Sequence, residues 1–447
     1  MAQPIRHPDE RDAPMMRRRA WWLVGLNILI PGSAQALAGS RRLGKVGLAA
    51  TIIGWILVVV AIAVLVTGRA TALTVVTNPW VLLLAQVIAA AYLVLWIVLT
   101  IDTIRLLRLP RLPAGARLGV PAAALVVLIA FIGAGAYGVT AASATRSAIG
   151  SVFAGTAAVP PVDGRYNILL LGGDDGADRE GLRPDSVTVA SVDATTGETV
   201  LIGLPRDLKD VPFPEDSPMH ALFPDGFKKC QASPCMLNSI YTEVSVFHPE
   251  LYPDAAANGS RPGWEATKDA AEAITGLEIQ YLVTVDMAGF QQLIDALGGV
   301  TINVTQRIPI GGSEDLRDVK AWIEPGVQHL DGNWALWYAR ARHGSSDYDR
   351  MNRQKDVEEA VLRQFDPLTV MSKFQGIAAA GSQVLSTTVP DSMVGTFLDL
   401  ALKAKDTQIQ RLDMTPANDI DPDQPDWAYI RSLVDQAVGK TAASPAP

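Results

Sequence analysis

The sequence predicts an α/β domain, with a mixed central sheet covered by helices on both faces, that follows an α-helical transmembrane region. Beyond residue 160, short apolar runs alternate with helical patterns, an order that favours a layered mixed sheet. Before residue 142, three apolar runs each reach the roughly 20 residues that a helix needs to cross a bilayer. The 447 residues are enough for both parts.

Charge divides the chain at nearly the same place. Residues 1–150 contain 14 Lys and Arg against 4 Asp and Glu, a net charge of +10. Residues 151–447 contain 24 against 42, a net charge of −18. A basic region followed by an acidic one favours a membrane segment followed by a globular domain, and we expect no nucleic-acid partner.

The predicted spans are 46–67, 80–102 and 118–140. The stretch 20–39 is interrupted by Pro31-Gly32, so we interpret it as interfacial or re-entrant. Basic residues precede the first span and lie between the second and third, which makes the N-terminus cytoplasmic and the acidic domain extracytoplasmic. These residues are Arg17, Arg18, Arg19, Arg41, Arg42, Lys45, Arg105, Arg108, Arg111 and Arg117.

The sequence therefore predicts a multi-pass protein of the cell membrane without a cleavable signal peptide. Small and Pro-containing residues after the last span are typical of a linker. We divide the chain into a cytoplasmic N-terminus (1–19), a transmembrane region (20–142), a stalk (143–160), an extracytoplasmic catalytic domain (161–437) and a disordered tail (438–447).

Cys230 and Cys235 are the only cysteines, and both lie in the predicted exported part. A disulfide across that short loop could persist outside the cytoplasm, and two free thiols are the alternative. Without nearby His residues, the two cysteines do not indicate a zinc site.

The first strand of the domain is predicted at Tyr166–Leu171, where an apolar run ends at Gly172-Gly173-Asp174 and brings a carboxylate into a loop. Residues 186–192 and 198–204 alternate about a Gly-containing turn, which predicts a hairpin. The Pro-rich and Asp-rich segment 208–262 favours an irregular excursion. Further helices are predicted at 264–275 and 287–297, and strands at 280–285 and 300–304.

Two further helices are predicted between residues 331 and 365. Asp331 suits an N-cap for a helix from Asn333 to about Arg340, and Asp347 begins a second helix that runs to about Phe365. In the second helix Arg350, Arg353 and Gln354 have the spacing i, i+3 and i+4, so they share one face.

Arginines are densest in this stretch, where Arg340, Arg342, Arg350 and Arg353 fall within fifteen residues. Arg binds phosphate oxygens bidentately and stays charged, and carboxylates are the oxygen ligands that Mg²⁺ prefers. Candidate carboxylates lie upstream beside two further arginines, and surface ion pairs are the alternative explanation. The upstream residues are Asp174, Arg183, Asp185, Arg206 and Asp207.

Other chemistries lack their sequence signatures. The run Gly133–Gly138 matches a dinucleotide-binding fingerprint by letter, but it lies inside an apolar span without a preceding strand. There is no HExxH spacing for zinc hydrolysis and no G-x-S-x-G elbow for serine acyl transfer.

Several runs resemble the LytR–CpsA–Psr family of envelope glycopolymer transferases over most of 160–365. They are LLLGGDD (169–175), RPDS (183–186), LPRD (204–207), LNSIY (237–241), YLVTVDMAGFQQLIDALGGV (281–300) and LDGNWALWYARARHGSSDYDRMNRQ (330–354). The resemblance implies an extracytoplasmic enzyme that moves a glycopolymer from a polyprenyl pyrophosphate carrier to a peptidoglycan hydroxyl. It also implies membrane lipid as a partner.

The resemblance further implies roles for single residues. Asp174 and Asp185 match the positions that hold Mg²⁺, with Mn²⁺ as the alternative ion. Asp174 or Asp207 could accept the hydroxyl proton, or Asp207 could orient Arg206, and Asn238 could bind substrate or close a turn. The phosphate-binding set comprises Arg183, Arg206, Arg340, Arg342, Arg350 and Gln354, with Arg353 beside it.

Three questions stay open at this stage. A pyrophosphatase would use the same groups with water as the nucleophile, and a non-catalytic lipid-binding regulator would keep only the pocket. The Ala-, Val- and Arg-rich composition is typical of a GC-rich actinobacterium and favours arabinogalactan over a teichoic acid. The apolar faces of 287–297 and 357–362, and Trp334 with Trp337, could line a ligand tunnel or pack in the core.

Two features depart from the family pattern. Ile240 stands where a small residue is usual, and three spans are predicted where most relatives have one.

Overall fold

The computed structural model describes residues 5–6, 8–68, 75, 78–153, 157–173, 183–313, 315–364 and 385–439. The chain forms two compact units, Met1–Arg146 and Ser147–Pro447. The boundary between them lies within the predicted stalk. Asp174 and the part of the predicted tail beyond Gly439 lie outside the described residues.

The first unit is helical. Its helices are α1 Ala13–Leu29, α2 Ser33–Ala38, α3 Arg41–Thr67, α4 Pro79–Leu106 and α5 Ala114–Val152, with a 3₁₀ turn at Leu109–Arg111. Three stretches are long and apolar enough to cross a membrane, Arg41–Val64, Trp80–Leu106 and Ala114–Thr140, in agreement with the three predicted runs. Helix α5 continues to Val152, so the first part of the predicted stalk is helical.

The interrupted stretch 20–39 forms the end of α1, a break at Pro31-Gly32, and α2. Gly44 lets α2 lie directly on α3, because a Cβ at Gly44 would come within 2.5 Å of the Ala36 backbone nitrogen. The buried Gln35 amide donates hydrogen bonds to the Leu99 carbonyl at 2.8 Å and to Thr103 at 2.9 Å on α4. Such bonds satisfy polar groups within an apolar bundle. The re-entrant placement stays a prediction.

The second unit is built on a six-stranded mixed sheet with the order β10-β3-β2-β1-β4-β9. Its central strand β1 pairs antiparallel with β2 and parallel with β4. The remaining strands form two short ribbons, β5–β8 and β6–β7. The strands are β1 Arg165–Gly172, β2 Ser186–Asp193, β3 Thr199–Gly203, β4 Tyr281–Val285, β5 Val300–Val304, β6 Ile308–Ile310, β7 Ala321–Ile323, β8 Gly326–Leu330, β9 Leu385–Thr387 and β10 Ile409–Asp413.

Helices cover both faces of this sheet. They are α6 Pro218–Leu222, α7 Pro262–Thr275, α8 Met287–Leu297, α9 Gly332–Arg340, α10 Asp347–Gln364, α11 Val394–Asp406 and α12 Trp427–Ala437. Short helical turns lie at Leu237–Ser239, Ile240–Thr242, Glu243–Phe247, Pro249–Leu251, Asp391–Met393 and Pro416–Asn418. The α/β fold with a mixed, two-sided sheet agrees with the sequence prediction.

One face of the sheet is closely packed, and we call it the packed face. Leu169, Val189 and Ile202 point from β1, β2 and β3 into a core that α7 and α12 complete with Trp264 and Ile430. These residues are at most 4% exposed. Burial of this kind is the dominant stabilising contribution to a domain of this size.

The opposite face, which we call the hollow face, carries α8, α9, α10 and α11. Alternate residues of the same strands, such as Leu170 and Leu201, point toward these helices and line a large cavity. The strand period of two explains why neighbours in β1 and β3 serve different faces.

Most predicted elements between 166 and 364 are confirmed within one or two residues. Helix α7 ends at Gly276, whose φ of +71° is the left-handed conformation that glycine tolerates. Asp331 is the N-cap of α9 and accepts a hydrogen bond from the Trp334 amide at 2.9 Å. The strand predicted at 300–304 forms, but it belongs to the ribbon with β8 and not to the main sheet.

Candidate active site

The end of α9 and the start of α10 bring the arginine-rich stretch to the end of the sheet where β2 begins. Arg353 organises the connection between them. Its buried guanidinium donates hydrogen bonds to the carbonyl oxygens of Tyr338, at 2.9 Å, and of Ala341, and to the Ser345 hydroxyl at 3.2 Å. Arg353 therefore fixes the loop that carries Arg342. It does not line the polar cavity or the apolar cavity described below.

Asp185, at the start of β2, is the centre of the arginine cluster. Its carboxylate accepts hydrogen bonds from Arg206 at 2.6 Å and from Arg342 at 3.0 and 3.1 Å. The Arg350 Nη1 atom lies 4.0 Å from the same carboxylate. The sequence thus brings together residues that are up to 165 positions apart.

Asp347, the first residue of α10, is a second anion in the cluster. Its Oδ2 atom accepts hydrogen bonds from Arg350 at 3.0 Å and from Arg206 at 3.3 Å. The sequence predicted Asp347 only as the start of a helix. Its i, i+3 spacing to Arg350 also indicates an ion pair between these two residues. Arg206 pairs with Asp185 and Asp347 among the described residues, and not with its neighbour Asp207.

The guanidinium of Arg350 has hydrogen-bond donors that no described residue accepts. Its side chain is 1% exposed, and its Nε and Nη1 atoms have no hydrogen-bond partner among the described residues. Burial lowers the pKa of Arg350, while Asp347 opposes that shift. An arginine nevertheless stays charged at physiological pH, so these buried donors are available to an anion.

A polar cavity of about 340 Å³ lies on one side of Asp185. Asp207 lines this cavity, and its Oδ1 atom is buried and without a hydrogen-bond partner in the described part of the chain. Asn238 lies beside it, and its backbone amide donates to the Arg206 carbonyl at 3.0 Å. The cavity is lined by Arg183, Asp185, Arg206, Asp207, Met236, Asn238 and Arg342.

The loop that closes the polar cavity is held by a disulfide between Cys230 and Cys235. The buried Glu243 carboxylate accepts hydrogen bonds from the backbone amides of Gln231, at 2.9 Å, and Ala232, at 2.7 Å. Arg183 in turn donates to the Ser233 carbonyl at 3.2 Å. The alternative of two free thiols is therefore wrong, and the loop positions Arg183.

An apolar cavity of about 790 Å³ extends from the other side of Asp185 along the hollow face. Arg340, Arg342, Arg350 and Gln354 line it, and with Asp185 the arginines form its charged mouth. The walls come from β1–β4, α8, α10 and α11, including Ile168, Leu170, Val283, Phe290, Val361 and Phe397. The apolar faces of 287–297 and 357–362 thus line a cavity, and Trp337 does so too.

The two cavities share Asp185 and Arg342. The structure therefore gathers Arg183, Arg206, Asp207, Asn238, Arg340, Arg350 and Gln354 around these two residues. Asp174 lies outside the described residues, but the preceding Gly172-Gly173 lines the mouth of the apolar cavity. Five arginines line the two cavities of an otherwise acidic domain, a concentration of positive charge that favours an anionic ligand.

The sequence model of the LytR_cpsA_psr family matches residues 136–434. Biofilm regulatory protein A of Streptococcus mutans is 26% identical over 230 residues, which is 50% of this chain and 50% of that protein. The polyisoprenyl-teichoic acid–peptidoglycan teichoic acid transferase TagU of Enterococcus faecalis is 29% identical over 255 residues, 55% of this chain and 70% of that protein. TagV of Bacillus subtilis is 25% identical over 228 residues, 50% of each chain.

The matched segment spans about half the length of two of these three relatives. Solved structures are also similar. The crystal structure of Bacillus subtilis TagV is 22% identical, with 63% of this chain and 99% of that chain covered and a TM-score of 0.43. A structure of TagT bound to LIIa-WTA is 17% identical, with 63% and 94% covered and a TM-score of 0.40.

Proposed function

Because the chain belongs to the LytR–CpsA–Psr family, we propose that it is a phosphotransferase that moves a glycopolymer from a polyprenyl pyrophosphate carrier to a hydroxyl group of peptidoglycan. The observation that carries this proposal is the junction of two unlike cavities at Asp185 and Arg342. A carrier lipid has an apolar tail, a dianionic or more highly charged head and a polar polymer. The apolar cavity, the charged mouth and the polar cavity match these three parts in that order.

The apolar cavity suits the isoprenoid tail. Its walls are formed by aliphatic and aromatic side chains of the hollow face, among them Leu170, Val283, Phe290 and Phe397. Each methylene group transferred from water to such a wall contributes about 0.8 kcal/mol, so even part of a polyprenyl chain gives a large binding energy. The tail therefore anchors the carrier and leaves its head at the mouth.

The arginines at the mouth suit the pyrophosphate. Arg350 offers two buried donors without partners among the described residues, and Arg340 and Arg342 line the same mouth. In the transfer step the acceptor oxygen forms a bond to the phosphorus that carries the glycopolymer, and the bridging P–O bond breaks. Its electron pair leaves with the polyprenyl phosphate, whose growing charge the arginines stabilise.

The polar cavity suits the acceptor. Asp207, whose Oδ1 atom has no hydrogen-bond partner within the described ranges, is the proposed base for the acceptor hydroxyl, and Asp174 is the alternative. Asn238 and Arg183 would position the acceptor glycan. No covalent enzyme intermediate is needed, because the hydroxyl itself is the nucleophile.

A carboxylate at this junction supports the proposal of a divalent ion there. Asp185 presents a half-exposed carboxylate where both cavities meet, and Mg²⁺ is usually bound by one or two carboxylates together with substrate phosphates. We propose that Asp185 and Asp174 would hold Mg²⁺, or Mn²⁺. Bound there, the ion would neutralise part of the pyrophosphate charge.

The membrane placement completes the proposal. Three apolar helices support membrane anchoring. We propose that the N-terminus is cytoplasmic and the domain extracytoplasmic, where peptidoglycan lies. The polymer would be an arabinogalactan or a teichoic-type chain, and only composition favours the first.

The test is a product analysis in a reconstituted system. Full-length protein in vesicles receives lipid-linked polymer, a peptidoglycan glycan and Mg²⁺, and we expect a polymer–glycan conjugate joined through a phosphodiester. Release of polymer phosphate without conjugate would identify a pyrophosphatase instead. Tight binding of the carrier with no turnover would identify a non-catalytic regulator. Asp185→Asn should abolish conjugate formation while the protein stays folded.

A further inference from the structure

Glu358 is a carboxyl group that lines the apolar cavity away from its charged mouth. Arg350, Gln354 and Glu358 follow each other at i, i+4 and i+8 along α10, so they form one stripe that runs from the mouth into the cavity. Arg350 and Gln354 suit the anionic head. Glu358, two turns deeper, lies among the residues that we assign to the isoprenoid tail.

The Glu358 carboxyl is only half satisfied. Its Oε1 atom accepts a hydrogen bond from the Thr188 hydroxyl of β2 at 3.1 Å. Its Oε2 atom is buried and has no hydrogen-bond partner among the described residues. Such an arrangement tolerates a neutral carboxyl much better than a carboxylate, because an isolated ion is very costly to bury.

The nearest cations, Lys355 and Arg411, both favour the ionised form of Glu358, but each forms an ion pair with another carboxylate. Lys355, one turn earlier on α10, pairs with Asp413 of β10. Arg411, also on β10, pairs with Asp356 at 2.8 Å and with Glu359 at 2.6 Å. Thr188 is the polar group that faces Glu358 from β2.

The other charged groups of the cavity lie toward its mouth. They are Asp185, Asp286, Arg340, Arg342, His343 and Arg350. Asp286 is the N-cap of α8 and accepts a hydrogen bond from the Gly289 amide at 2.6 Å. Glu358 is therefore a carboxyl without an ion-pair partner in the described part of the chain. Burial raises its pKa to about 7, with Lys355 opposing the shift.

We propose that Glu358 makes binding of the isoprenoid tail proton-linked: the tail occupies the cavity only when the Glu358 carboxyl is protonated. This inference rests on the proposed function, which assigns the cavity to the tail. An ionised Glu358 needs water inside the cavity, and the tail expels that water. Binding above neutral pH therefore takes up one proton at this residue.

The direction of the pH dependence follows from the linkage between proton binding and tail binding. Below the pKa of the empty protein the carboxyl is already protonated, so tail affinity is independent of pH. Above it, binding must protonate the residue, and affinity falls by up to tenfold for each pH unit. The carrier is therefore held firmly at mildly acidic pH and released more readily at alkaline pH.

The experiment uses full-length protein in phosphatidylcholine nanodiscs and a fluorescent polyprenol, whose uncharged head cannot titrate. Its Kd is measured from pH 5.5 to 9. We expect a constant Kd at the acidic end and a rise toward tenfold per pH unit above about 7. Glu358→Gln should remove this rise and keep the acidic-pH affinity at every pH. Glu359→Gln, the same change on the neighbouring residue that pairs with Arg411, should behave as the native protein.

Two variants separate failure of the inference from failure of the proposed function. Ala401→Trp fills the cavity from α11, so it should abolish polyprenol binding at all pH values. If the native protein never binds polyprenol, or Ala401→Trp binds it equally well, the tail assignment and the proton linkage both fail. If binding is blocked by Ala401→Trp but the pH dependence persists in Glu358→Gln or is lost in His343→Gln, the proton linkage alone is overturned.

Discussion

The packed face and the hollow face use the same strands for opposite purposes. On β1, Leu169 is fully buried in the core beneath α7, whereas its neighbour Leu170 lines the apolar cavity. The packed face thus provides stability through close contacts, and the hollow face leaves space of about 790 Å³ that ligand atoms can fill. Because side chains alternate along each strand, one sheet can provide stability on one face and a binding cavity on the other.

The largest expected effect lies at the mouth of the hollow face. Arg350→Lys removes the planar set of donors, of which two have no partner in the part of the chain that the structure describes, and leaves Asp347 with a poorer counterion. We expect a loss of about 10²–10³ in kcat/KM for transfer, as for removal of a single preorganised donor. Steady-state kinetics with lipid-linked polymer measure it.

Arg363→Lys is the matched control for Arg350→Lys. Arg363 lies on the same helix, near its end, and pairs with Glu359 at 2.8 Å on the surface. Its replacement should leave kcat/KM within about twofold, because exposed pairs contribute little. Equal losses in both variants would show that α10 acts through the fold and not through Arg350.

The next largest effects are expected from the same Leu→Ala substitution on the two faces of β1. Leu169→Ala opens a void in the packed face and should reduce the free energy of unfolding by about 2–5 kcal/mol. Leu170→Ala only enlarges an existing cavity, so we expect a loss below about 1.5 kcal/mol and a clear weakening of carrier binding. Urea unfolding and lipid titration measure the two quantities. Equal destabilisation by both variants would contradict the distinction between the faces.

A smaller effect is expected at the loop of the polar cavity. Glu243→Gln weakens the bonds to the amides of Gln231 and Ala232 and thereby loosens the carbonyls that hold Arg183. The loss of one charge-assisted bond corresponds to about 1.5–3 kcal/mol locally, of which we expect only part at the site, about a fivefold rise in the KM for acceptor. An unchanged acceptor KM, with wild-type stability, would remove the loop from the site.

The smallest effect concerns the packed face and pH. Burial raises the pKa of Glu272 on α7 to about 7, while its hydrogen bond from the Ile279 amide opposes the shift. A raised carboxyl pKa in the folded state means that stability is fullest at acidic pH and falls as the pH rises toward 7. Glu272→Gln should flatten this fall and stabilise the domain at pH 8 by about 1 kcal/mol. Unfolding midpoints at pH 5 and pH 8 test it, and a fall unchanged in Glu272→Gln would assign it to another group.

The local structure of the domain followed from short-range signals. Glycine stops at Gly276 and Gly298, the N-cap at Asp331 and the strand period in β1 each act within a few residues, so the sequence displays them directly. The arginine cluster was also predictable, because both its residue types and their family pattern lie in short runs.

The rest of the fold and of the site depends on contacts between residues that are far apart in the sequence. Strands β9 and β10 are short and join the edges of the sheet by pairing with β4 and β3, which no local pattern indicates. Arg350 and Arg353 share one face of α10, and the two side chains differ because the loop carbonyls accept the hydrogen bonds of Arg353. Whether the apolar faces of α8 and α10 enclose a core or a cavity is decided by how closely α11 packs on them.

Photo-crosslinking tests the central claim most directly. A polyprenyl pyrophosphate with a benzophenone in its tail is irradiated with the full-length protein, and the labelled peptides are identified by mass spectrometry. The account predicts labels on the hollow face, at residues such as Ile168, Val361 and Ala401, and their loss in Ala401→Trp. Labels confined to the membrane helices or to the packed face would contradict it.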